Sequence, residues 1–151
     1  MDAELVVKRA GLLNFAQRNS LTLGLRALEG HLRQADAWLQ GEEEHGILYQ
    51  RSLNLAPKRR AAARAKIAAA LARIAVLTER FDLPVAEDNL GATIAAQMSA
   101  DWTNLCDTRA DKLRRYGEVD PRLAELLDAD VDALAQLALS LAALQRDDPA
   151  P

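Results

Sequence analysis

Apolar residues recur along most of this chain at steps of three and four, the period of one face of an α-helix. Leu21, Leu25, Leu28, Leu32, Ala35 and Leu39 form one such stripe and predict a helix over about Ser20–Gln40. Ile67, Leu71, Ile74 and Leu77 do the same within about Pro57–Phe81. A third stripe, Leu90, Ile94, Met98, Trp102, Leu105 and Leu113, predicts a helix over about Val85–Tyr116. A fourth, Leu123, Leu127, Leu134, Leu137, Leu141 and Leu144, predicts one over about Pro121–Gln145. Residues 3–18 also have helical spacing, but Gly11, the Asn19-Ser20 pair and Gly24 leave their continuity with the first helix open.

The boundaries come from residues that start or stop helices. Pro57, Pro84 and Pro121 stand where helices begin, because proline lacks only an N–H that has no partner in a first turn. Asp120 before Pro121 suits an N-cap, and Gly117 after Tyr116 suits a left-handed stop. The second and fourth helices would each be about 37 Å long. Matched lengths and short connections predict an all-α fold, an antiparallel four-helix bundle with an N-terminal helical extension. Residues 1–151 are expected to form one domain, with 1–18 as the extension and 146–151 as a disordered tail. The one long loop, Gly41–Ala56, holds Ile47, Leu48, Tyr49, Leu53 and Leu55 and is expected to pack across the end of the bundle.

Two helices carry more apolar surface than one neighbour can cover. Ala61, Ala65, Ala68, Ala72 and Ala75 form a second stripe on the second helix, which predicts two neighbours for it. The fourth helix has only Gln136 and Ser140 as polar residues between Ala133 and Leu144. With the leucine stripe assigned to the core, Ala135, Ala138, Leu139 and Ala142 face away from it. They are the candidate interface, to be covered by residues 3–18, by a second copy or by another protein.

Composition agrees with this. The chain has 30 Ala and 26 Leu against six Val and four Ile, which favours helix over sheet. Cys106 is alone, so it forms no internal disulfide and fits a small core residue in a reducing compartment. Met1-Asp2-Ala3-Glu4 lacks the basic start of a secretory signal, and no apolar run reaches the roughly 20 residues of a membrane span. A cytoplasmic location without membrane partners is therefore expected.

Candidate chemistry is sparse. Glu42 and His45 make one Glu-x-x-His step, where a carboxylate-bridged metal site in a bundle needs two. Asp107 and Asp111 share a helix face, but the second helix offers only Glu79 to match them. Asp128, Asp130 and Asp132 fit the positive end of a helix dipole. No catalytic, cofactor or metal site is expected. The basic run Lys58, Arg59, Arg60, Arg64 and Lys66 opens the second helix, at the end where the dipole is already positive. A hairpin between the second and third helices would bring Arg109, Lys112, Arg114 and Arg115 to the same end. Residues 1–81 carry +5 and residues 82–151 carry −8, so the halves also complement each other. The expected function is non-enzymatic: self-association as a homodimer, or binding to another protein. The alternative is a nucleic-acid or anion-binding module using Lys58, Arg59, Arg60, Arg64, Arg109, Lys112, Arg114 and Arg115. The pI near 5.4 and the 4% aromatic content weigh against that alternative.

Overall fold

A computed structural model of the protein describes residues 11–42 and 44–145. The described residues contain helices and connecting segments and no strand. The chain divides into two compact units, residues 1–86 and 87–151, and each is taken by itself. Of the expected cover, residues 3–18, the part before Gly11 lies outside the described residues, as does the expected tail at 146–151.

The first unit is a helical hairpin of α1 (Phe15–Leu39) and α2 (Pro57–Phe81). Asn14 caps α1: its side chain accepts the Gln17 N–H, while the Gln17 side chain accepts the Asn14 N–H. This reciprocal cap starts the helix five residues before the expected Ser20. The helix then runs unbroken through Asn19-Ser20 and Gly24. Pro57 opens α2 as expected, and Asp82 closes it in the left-handed conformation, which a short polar side chain tolerates better than most. Two contacts fix the helices as antiparallel. Near the start of α1, Arg18 donates to the Asp82 carbonyl at 3.1 Å. Near its end, Asp36 pairs with Arg64 at 2.9 Å.

Ile67, Ile74 and Leu83 are buried, as the large-residue stripe of α2 implied for the two isoleucines. The alanine stripe is a correction: Ala61, Ala65, Ala68, Ala72 and Ala75 are all exposed, because α1 is the one helix packed on α2 in this unit. The long loop is corrected in part. Arg60 donates to the carbonyls of Leu53 and Leu55, at 3.0 and 3.1 Å, and those two leucines are half-buried. Ile47 and Leu48 instead point fully into solvent. Arg51 lies over the rings of both Trp38 and Tyr49, at 5.7 and 5.0 Å.

The second unit comprises α3 (Leu90–Cys106), the single turn α4 (Ala110–Leu113) with a 3₁₀ turn at Arg114–Tyr116, and α5 (Leu123–Leu144). Asn89 caps α3 by accepting the Ala92 N–H. The continuous helix expected over 85–116 is thus three pieces. It starts late because Asn89 supplies the cap. It breaks after Cys106, where Thr108 turns its hydroxyl onto the Leu105 carbonyl and Asp128 of α5 accepts the Ala110 N–H at 2.9 Å. Gly117 stops the third piece at φ 151°, a conformation that L side chains rarely adopt. Asp120 accepts the Arg122 N–H, but regular helix begins only at Leu123. Ala110 lies beside Asp128 near the start of α5, while Gly91 lies near Gln145 just past its end, so α3 and α5 are antiparallel.

Replacing Ile67 or Ile74 with Ala is expected to cost about 2–5 kcal/mol, the range for buried large-to-small changes. Ala68→Gln, on the open stripe one residue away, is expected to cost less than about 0.5 kcal/mol. Urea unfolding of the three variants measures both.

Candidate docking face

In α5 the small residues pack and the large ones do not. Val131, Ala135, Ala138 and Ala142 are buried, with Ala135 and Ala142 only 3% exposed. They recur at steps of four, three and four and so form one stripe. The helix packed against α5 is α3, whose buried residue is Ala95. Methyl groups at a helix crossing let the two axes approach closely. Leucines do not fit such a seam and are set to its side.

This reverses the faces expected from the sequence. Ala135, Ala138 and Ala142 are not open to a partner, because α3 covers them. Leu139 beside them is half-buried. The leucine stripe assigned to the core is the exposed one: Leu134, Leu137, Leu141 and Leu144 are 47–67% exposed. Both faces are apolar, so periodicity alone could not choose between them.

Two of these leucines, Leu134 and Leu141, line an open groove of about 460 Å³ between α3 and α5. Met98, Leu105, Leu134 and Leu141 form its apolar walls, Ala138 its floor, and Asp101, Asn104 and Thr108 its polar margin. On α3, Ile94 lies one turn before Met98 and is 40% exposed. Completing the burial of a half-exposed leucine is worth about 1 kcal/mol. Four of them in one row form a patch of the kind that marks interaction surfaces.

The eight residues of the expected basic patch are shared between the two units. Lys58, Arg59, Arg60 and Arg64 belong to the first unit, and Arg109, Lys112, Arg114 and Arg115 to the second. Several are already engaged: Arg60 with loop carbonyls, Arg64 with Asp36, and Lys112 4.0 Å from Asp111. Arg115 lies over the Tyr116 ring. Arg109 is held by Asp132 and lies 3.6 Å from Asp128. The Asp132 hydrogen bond chiefly, with the neighbouring negative charges, raises its pKa above the usual guanidinium value. Asp128 and Asp132, four residues apart on one face of α5, thus bind the connection back to the helix rather than merely opposing a dipole. The second-unit pocket nearest these cations, about 340 Å³, sets Asp111, Asp120 and Asp128 beside Arg109 and Arg114, a poor anion cradle.

Glu42, Glu44 and His45 are exposed in the long loop, and Glu43 lies outside the described residues. Among the described residues no group of three His, Cys, Asp or Glu side chains is placed to hold a metal ion. No helix among them is long and apolar enough to cross a membrane. Cys106 is half-buried at the end of α3. No protein-family model, curated protein or solved structure matches the chain.

One titration tests the local electrostatics. Asp120 accepts from the Arg122 guanidinium at 2.9 and 3.1 Å and from its N–H at 2.9 Å, which lowers the carboxyl pKa. A lowered pKa stabilises the fold above the unfolded value of about 3.9 and loses that contribution as pH falls through the folded value. An NMR titration of the Asp120 carboxyl is expected to give a midpoint below about 3.9. Arg122→Ala should return it toward that value.

Proposed function

We propose that this is a non-enzymatic cytoplasmic protein that acts by associating with protein surfaces through the leucine face of α5 and the groove beside it. The observation that carries this reading is the row Leu134, Leu137, Leu141 and Leu144, left open beside a face of the same helix that α3 already covers. A leucine row in water costs stability in an isolated chain, and an occupant recovers it. The steps of three and four along the row match the ridge-and-groove spacing of helix packing, so a helix is the natural occupant. The alternative of a nucleic-acid or anion module finds little support. Of its eight cations, Arg60, Arg64, Arg109, Lys112 and Arg115 are engaged with carboxylates, carbonyls or a ring.

The double variant Leu137→Glu/Leu141→Glu tests this reading. Both side chains are exposed, so helix content and melting temperature should stay close to the parent. Association should be lost, whether read as mass by light scattering or as proteins captured by the parent and not by the variant. A variant that keeps every association of the parent would contradict the reading.

A further inference from the structure

We propose that the groove between α3 and α5 receives a basic amphipathic helix of another protein. This rests on the docking reading above and adds the charge of the partner. The two helices that build the groove carry five acidic residues, Asp101, Glu125, Asp128, Asp130 and Asp132, and not one Lys or Arg. Asp128 and Asp132 are taken up by Arg109. Asp101 and Asp130 form no ion pair among the described residues, and both border the leucine row. Asp101 lines the groove directly, next to Leu134 and Met98. Asp130 is four residues before Leu134, so the row reads Asp130, Leu134, Leu137, Leu141 and Leu144 in alternating steps of four and three. In the antiparallel pair Asp130 lies toward the end of α3, and Leu144 toward its start.

The groove thus carries Asp101 on its wall, and the leucine row beside it begins at an aspartate, Asp130, and ends apolar at Leu144. A helix with leucine-like anchors along one side and Lys or Arg flanking them at one end matches both properties. A second copy presenting the same face does not. It would bring carboxylates to carboxylates, and its α3 and α5 hold no cation to answer them. An anionic lipid surface or a nucleic acid would be repelled by the same charges.

The probe is a fluorescently labelled amphipathic peptide of about 18 residues, long enough to span the roughly 21 Å from Asp130 to Leu144. It carries Leu at one helical face and Lys at the flanking positions, and its twin carries Glu in place of Lys. Anisotropy titrations of the full chain in about 50 mM salt are expected to show at least about tenfold tighter binding of the Lys peptide. That preference should shrink in about 1 M salt. Asp101→Lys/Asp130→Lys should reverse it, and Leu137→Glu/Leu141→Glu should abolish binding of the Lys peptide. Equal binding of both peptides that still needs Leu137 and Leu141 would overturn the basic partner and leave the docking face standing. Binding indifferent to Leu137 and Leu141, or no binding of either peptide, would remove the docking reading with it. A parent chain that light scattering finds as a dimer, dissociated by Leu137→Glu/Leu141→Glu and not displaced by the Lys peptide, would make a second copy the occupant and overturn the proposal.

Discussion

The alanine seam between α3 and α5 governs what the second unit can do. Ala95 on one helix and Ala135, Ala138 and Ala142 on the other bring the helices together on their smallest side chains. Each methyl group contributes only about 0.8 kcal/mol, so the seam gains from closeness more than from area. Its consequence lies outside it. A hairpin covers one side of each helix, and α5 from Ala133 onward is apolar on nearly every side. With the alanines chosen for the seam, the leucines must lie beside it, and the groove follows from that choice.

Polar contacts supply what the thin seam does not. Asp128 reaches from α5 to cap Ala110, and Asp128 and Asp132 together hold Arg109, so the end of the hairpin is tied by charge where little apolar surface is buried. The first unit follows the same plan with different residues. Ile67 and Ile74 form its seam, and Arg18, Arg60 and Arg64 tie its ends and its loop. In the first unit Arg60 and Arg64, and in the second Arg109, are cations of the expected basic patch that make internal contacts.

How much of this was legible in the sequence depends on whether the signal was local. Helix α2 was readable from Pro57 to Phe81, because proline marks its start and its large apolar residues lie on one face. The two isoleucines of its core follow from that face alone. The break between α3 and α4 was not readable, because an aspartate of a different helix caps Ala110. The late start of α3 had a local signal in Asn89, outweighed by the apolar periodicity around it. The leucine face of α5 was seen as a face but placed on the wrong side of the chain. Leucine is more hydrophobic than alanine, and area alone favours burying it. Close approach between two helices favours the smaller residue, and between α3 and α5 that second effect decides, whereas α2 packs its isoleucines and leaves its alanine stripe open. The long loop divides the same way: Leu53 and Leu55 are held where Arg60 binds their carbonyls, while Ile47 and Leu48 have no such anchor and stay in water.

Which face of α5 meets α3 decides what the second unit can bind, and thiol labelling measures this directly. Single cysteines at Ala135, Ala138, Leu137 and Leu141, in a Cys106→Ser background and at low protein concentration, would be exposed to a maleimide. Cysteines at Leu137 and Leu141 are expected to react nearly as fast as a free thiol. Those at Ala135 and Ala138 are expected to react slower by at least about a hundredfold, since they react only when the seam opens. Fast labelling at Ala135 and Ala138 with protection at Leu137 and Leu141 would contradict the account.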